Sequence, residues 1–280
     1  MRDAPTLENA PQTMFFVLGA QKAGTSWLHK YLAHHPQVST GPIKEYSYFG
    51  YFHRSLSRGP TTLPPFQRLR RLLAEAALRR RAGLSKGYVS SVVQALRQVP
   101  IYKNLLQSGR RDCRAFGDIS PKYSLLDRAA FSEMAALHPK TKFVFIMRDP
   151  IDRIWSQIRM GLVRHKQDVP ETAEILRRCA LPAHAGRTDY ARLMAELEAA
   201  VPSEDILYLF YETLFSDASI SRLCDHLGIV FLPGDYGNRV FAGRSEALSD
   251  EVRAKLRLQL DPQYRAVMER FGPDLPPWNF

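Results

Sequence analysis

The sequence predicts an α/β fold of three layers, a central parallel sheet flanked by helices. Three observations carry that prediction. Short unbroken apolar runs, Met14 to Ala20 and Phe143 to Met147 among them, suit strands buried on both faces. Segments with apolar residues at helical spacing lie between such runs. Glycine-, proline- and aspartate-bearing turns follow the runs, so strand and helix alternate as parallel pairing requires.

Taken in order, "MFFVLGA" (14–20) reads as a strand. A glycine-containing turn leads to a helix with Trp27, Leu28, Tyr31 and Leu32 at helical spacing. "PQVST" (36–40) fits a short second strand, and a loop follows. Over 66–82 an amphipathic helix is expected, with Phe66, Leu69, Leu72, Leu73 and Ala76 on one face. "SSVVQALRQVPIYKNLLQ" reads as helical on either side of Pro100. "CRAFGDISP" supplies a short strand ending at Gly117 and Asp118, and a helix is expected around 127–137. "TKFVFIMRDP" is the clearest strand, and "DILYLFYE" (205–212) is another. Helices at about 151–165, 188–200, 216–227 and 249–271 fill the intervals.

At 280 residues the chain suits one large domain, expected over 14–280, with 1–13 a flexible N-terminus. A composition of 45% hydrophobic and 24% charged residues argues for a sizeable core and against long disorder. No run is apolar enough for a membrane span, and residues 1–13 lack a signal peptide's apolar stretch, so a cytoplasmic protein is expected. Cys113, Cys179 and Cys224 are expected as small buried residues, and no His/Cys/Asp cluster has metal-ligand spacing. The net charge of +11 is concentrated: His53 to Lys86 holds nine Lys or Arg against Glu75. That segment, 52–86, reads as a helical insertion or lid. It is either a solvated helix face or a contact for an anionic acceptor, an anionic membrane surface or nucleic acid.

The chemistry concentrates in two turns. In "GAQKAGTS", Gly19 and Gly24 keep the spacing of a P-loop, G-x-x-x-x-G-K-[ST], but Thr25 stands at the lysine position and Lys22 is the loop's lysine. The fold is therefore expected to be P-loop-like. The backbone N–H groups of Gly24, Thr25 and Ser26 would face an anion at a helix N-terminus. The strong strands end in "MRDP" and "FYET", not in the acid that holds Mg²⁺ in nucleoside-triphosphate enzymes. A nucleotide handled without a metal is the first reading; a P-loop nucleotide kinase or NTPase is the alternative. "MRDPIDRIWSQ" supplies the second turn, where Arg148 offers a forked donor, Asp149 a cap, Pro150 a helix start and Ser156 a hydroxyl. Pairing of Arg148 with Asp149 or Asp152 is the rival. Two phosphate sites at neighbouring strand ends imply phosphates at both ends of a ribose.

These residues resemble a known family. "GAQKAGTSWLHKYL" looks like the 5′-phosphosulfate loop of the sulfotransferases that use 3′-phosphoadenosine 5′-phosphosulfate (PAPS), and "RDPIDRIWSQ" resembles their 3′-phosphate motif R-D-P-x-x-R-x-x-S. "PIKEYSYF" is similar to the KEPHFF-like stretch of the heparan-sulfate-type branch, "GDISPKYSL" to its EKSPxYF-like stretch, and "SEALSDEVRAKL" onward to the C-terminal helix of bacterial members. The resemblance implies a PAPS-dependent sulfotransferase without a metal. It implies Lys22 as the catalytic lysine, Glu45 as general base, Gly24, Thr25 and Ser26 with Trp27 at the cosubstrate, and Arg148 and Ser156 on the 3′-phosphate. Arg239 and Arg244 are equal candidates for the late loop over that phosphate. His29, His34 and His35 are rival bases. Ile119 departs from the family's lysine, and Lys122 is the nearest substitute. The implied acceptor is a hydroxyl, first on a carbohydrate or glycolipid and second on a phenol or lipid. Tyr46, Tyr48, Phe49 and Tyr51 offer rings for it or pack in the core. Nucleic acid as the partner would leave both turns unexplained.

Overall fold

The structure, a computed structural model, describes residues 12–42, 44–51, 99–108, 110, 112–237 and 248–278. The N-terminal segment 1–11, the insertion 52–86 with the helix expected there, the stretch read as helical before residue 99, and Arg239 and Arg244 lie outside the described residues.

Among the described residues a five-stranded sheet is built from β1 (Thr13–Gly19), β2 (Val38–Ser39), β3 (Ala115–Ile119), β4 (Thr141–Met147) and β5 (Ile206–Phe210). Its order is β2-β3-β1-β4-β5, and every pairing is parallel. β1 is central because its run is apolar on both faces; all seven residues are buried. β3 approaches it closely: a side chain at Gly117 would collide with the Phe15 carbonyl. Since all strands run one way, β1, β3, β4 and β5 open their carboxyl ends on one edge, where open α/β sheets bind ligands.

The flanking helices are α1 (Thr25–His34), α2 (Val99–Gln107), α3 (Arg128–Ala135), α4 (Pro150–His165), α5 (Thr172–Ala180), α6 (Pro182–Ala185), α7 (Tyr190–Glu198), α8 (Tyr211–Leu214), α9 (Asp217–Leu227), α10 (Asp250–Gln259) and α11 (Asp261–Phe271). Their starts follow capping chemistry: Asp127, Asp149, Asp189, Ser216 and Ser249 each accept a backbone N–H two or three residues into the helix.

The structure differs from the sequence reading in four places. The helix expected over 249–271 is two helices, because Pro262 cannot donate an N–H and starts a new one. The strand expected over 205–212 stops at Phe210, and Tyr211 opens α8. β3 runs on to Ile119. α5 and α6 were not anticipated, although Ile175 and Cys179 stand one helical turn apart and are both buried.

Packing at the site end of the sheet is aromatic. Tyr48 stacks on Tyr102 at 4.3 Å, and Phe49 meets Phe16 and Tyr123 edge-on at 5.9 Å each. Tyr46, Tyr48 and Phe49 are buried, so these three rings serve the core and are not available to stack on an acceptor. Cys113, Cys179 and Cys224 are free and buried, as expected.

Candidate active site

β1 ends at Gly19, and the turn 20–24 delivers the chain to α1. Gly24 occupies the cap position in left-handed backbone, φ +83°, and no side chain caps the helix. The first N–H groups of α1 therefore have no side-chain cap, and with the helix dipole they would suit an anion. A side chain at Gly24 would lie 2.7 Å from Leu214 Cδ2 and 3.3 Å from the Tyr211 ring, so α8 backs the turn. The Ala20 N–H donates to the Ile146 carbonyl at 2.7 Å, tying the turn to β4. Lys22, at the apex, also has left-handed backbone, φ +73°.

Cations converge on this turn. Arg148, at the end of β4, donates through Nη1 to the Lys22 carbonyl at 2.9 Å, and its guanidinium lies 4.3 Å over the Tyr211 ring. The two turns, 126 residues apart in sequence, thus form one site. The rival pairing does not form. Asp149 caps α4 with one oxygen and accepts the Tyr264 hydroxyl with the other, while Asp152 pairs with Arg253 at 3.0 Å. Lys44 donates to the Ser26 hydroxyl at 2.6 Å. Lys22 Nζ lies 3.7 Å from Met160 Sδ on α4. Ser156, half-buried, precedes Met160 by one turn and so shares that face of the helix. Partial burial, then the charges of Arg148, Arg159 and Lys44, hold the Lys22 amine below its ordinary pKa. An anion entering here would relieve that crowding, which is the electrostatic character of a phosphate site.

Glu45 sits at the rim of this cluster. Its carboxylate is 3.6 Å from Lys44 Nζ, and its backbone is left-handed, φ +62°. The following residues are fastened to the end of β3. The Ser47 N–H donates to the Ser120 hydroxyl and the Tyr48 N–H to the Tyr123 hydroxyl, both at 2.9 Å. Both hydroxyls, together with that of Tyr102, donate to Asp118 at 2.5–2.8 Å. Asp118 is fully buried, and burial pushes its carboxyl above the usual range against the pull of those donors.

The profile described as Sulfotransferase family matches residues 15–233, which span both turns and Glu45. The chain belongs to the sulfotransferase family. Its chemistry is the transfer of a sulfuryl group. This sulfotransferase is similar in fold to a sulfotransferase from Alicyclobacillus acidocaldarius, with 21% identity and a TM-score of 0.65 over 95% of this chain and 98% of that one. It is also similar to the sulfotransferase domain of the Synechococcus PCC 7002 olefin synthase, with 21% identity and a TM-score of 0.55 over 95% and 96% of the two chains. No relative among curated proteins matches it. No described helix is long and apolar enough to cross a membrane.

In this sulfotransferase Trp27 is buried, stacked on Tyr31 at 5.8 Å, and its indole N–H donates to the Asp235 carbonyl at 2.9 Å. Trp27, Lys30, Tyr31 and Leu232 line an open cavity of about 220 Å³. His35 has both ring nitrogens engaged, with the Val230 carbonyl and the Gln37 N–H, and the exposed His34 bonds the Lys30 carbonyl. Lys122 is exposed, and Ile119 is buried.

Sequence reasoning gave no role to Lys44, Asp118, Arg153 or Arg159. An acid inside an apolar strand was the available signal for Asp118. For Lys44 the signal was its place next to Glu45. Arg153 is the second arginine of R-D-P-x-x-R-x-x-S, a motif position that was given no task, and for Arg159 the signal was helical spacing from Ser156.

Proposed function

We propose that this sulfotransferase takes its sulfuryl group from PAPS and passes it to an acceptor hydroxyl, first on a carbohydrate or glycolipid, by metal-independent in-line transfer. The observation that carries the reading is the hydrogen bond from Arg148 to the Lys22 carbonyl, which sets two anion anchors side by side. The residues present fit the nucleotide. The uncapped N-terminus of α1 and the hydroxyls of Thr25 and Ser26 suit a 5′-phosphate, and Arg148 with Ser156 suits a 3′-phosphate.

PAPS, when bound, supplies the sulfuryl group and leaves as 3′-phosphoadenosine 5′-phosphate (PAP). Lys22 places its ammonium where the departing phosphate oxygen gains charge, a task for which fixed cations and N–H dipoles suffice. Glu45, whose carboxylate lies 3.6 Å from Lys44 Nζ, accepts the proton of the acceptor hydroxyl. Arg148 and Ser156 distinguish PAP from ADP. Arg239 or Arg244 closes over the 3′-phosphate. Trp27 borders the nucleotide through the cavity beside α1. The basic segment 53–86 meets an anionic acceptor or an anionic membrane surface, in the cytoplasm.

Thermal stabilisation by PAP, ADP and ATP, each with and without Mg²⁺, tests this reading, because a ligand that binds the native state raises its stability. A shift by PAP that exceeds ADP and ignores Mg²⁺ is expected. A shift by ATP with Mg²⁺ alone would instead make the chain kinase-like. Lys22→Ala is expected to abolish sulfuryl transfer while leaving the unfolding transition intact; an unchanged rate would remove Lys22 from the mechanism.

A further inference from the structure

Arg153 lies in the second turn of "RDPIDR", and no step above uses it. It is fully buried. Its guanidinium donates to four neutral acceptors: Thr188 Oγ1 at 2.9 Å, Gln157 Oε1 at 2.8 Å, the His184 carbonyl at 3.1 Å and the Gln21 carbonyl at 3.5 Å. Among the described residues no carboxylate pairs with it. An arginine has five N–H donors, so the group is nearly satisfied in hydrogen bonds yet not neutralised in charge. Burying such a cation is costly, and an apolar side chain of similar volume would fill the space at lower cost. Burial lowers its pKa to about 10, which still leaves it charged at neutral pH.

The acceptors explain where the charge is put. Gln21 immediately precedes Lys22, and Arg148, five residues before Arg153, holds the Lys22 carbonyl. Arg148 and Arg153 therefore grip successive peptide units of the turn from the same strand-to-helix corner. Thr188, His184 and Gln157 brace the guanidinium from behind, and Thr188 is itself buried and donates to His184.

We infer that Arg153 is a positioning residue: it fixes the Gln21 peptide, and so the direction of Lys22, and it holds an unneutralised positive charge beside the turn that the anions of the bound nucleotide complete. This rests on the PAPS reading for the identity of the anion.

The test uses Arg153→Met and Arg153→Lys in the full chain, with PAP affinity by calorimetry and amide exchange across residues 20–25 in ligand-free protein. Arg153→Met is expected to keep or raise the urea midpoint, since it removes a buried charge, while PAP binds at least about tenfold more weakly and the Ala23 amide exchanges faster. Arg153→Lys restores the charge without the fork, so PAP affinity recovers towards wild type while the amide stays fast. A lowered midpoint with wild-type PAP affinity and wild-type exchange would make Arg153 a structural pin only and overturn the inference. Should Arg153→Met not fold, Gln157→Ala removes one acceptor at a half-buried position; faster exchange at Ala23 is then expected, and unchanged exchange refutes the role. The exchange arm needs no nucleotide. Wild-type protein that fails to bind PAP therefore refutes the cosubstrate, whereas unchanged exchange in Arg153→Met refutes the positioning role.

Discussion

Replacing Gly24 by alanine is the sharpest single-atom perturbation of the phosphate turn. At φ +83° an L-residue is strained by about 1–2 kcal/mol. The added Cβ would also lie 2.7 Å from Leu214 Cδ2. Leu214 is fully buried, so it has little room to withdraw. Overpacking of that kind costs about 1–3 kcal/mol. The combined loss, about 2–5 kcal/mol, is a large part of the 5–15 kcal/mol that holds a domain together. The chain can escape part of the strain by shifting the turn, and then the loss reappears as weaker PAP binding. Urea denaturation with and without PAP reads both. Gly161→Ala is the control: nothing lies within 4 Å of its Cβ and its backbone is helical, so a gain of about 0.5–1 kcal/mol is expected. A Gly24→Ala protein with the wild-type midpoint and the wild-type response to PAP would refute the reasoning.

Other outcomes follow from the same geometry. Glu45→Gln is expected to slow transfer about 10²-fold with PAP affinity little changed; collapse of PAP binding would show that Glu45 instead holds Lys44 on Ser26. Asp118→Asn replaces an acceptor of three hydroxyls by a group that must also donate, and about 3 kcal/mol of stability should go. Faster amide exchange at Ser47 and Tyr48 should accompany it, and protected amides there would dismiss the network as the anchor of the Glu45 loop. His226, half-buried against the Phe143 carbonyl, has its pKa lowered by burial to about 4. A depressed histidine keeps its contribution above its ordinary pKa of about 6.5 and loses it as pH falls towards 4, here at most about 3 kcal/mol. His226→Gln should flatten that part of the stability–pH curve, and an unaltered slope would assign the dependence elsewhere.

The local features of this protein were legible from residue order alone. Unbroken apolar runs marked β1 and β4, because a strand covered on both faces needs no polar alternation. Glycine spacing and Lys22 marked the turn, and Asp149 with Pro150 marked the start of α4. Where periodicity spoke less clearly the reading blurred, as at Pro262 and at the change from strand to helix at Tyr211. What only tertiary structure decided was convergence. Arg148 reaches Lys22 across 126 residues, Arg153 reaches Gln21 across 132, and Tyr48 reaches Tyr123 across 75. Those contacts depend on β4 and β3 lying on either side of β1, a strand order that residue type and spacing do not encode. They also decide which polar groups are buried. That is why Asp118 and Arg153, given no task by the sequence reading, become in the fold an acid and a cation that must each find neutral partners.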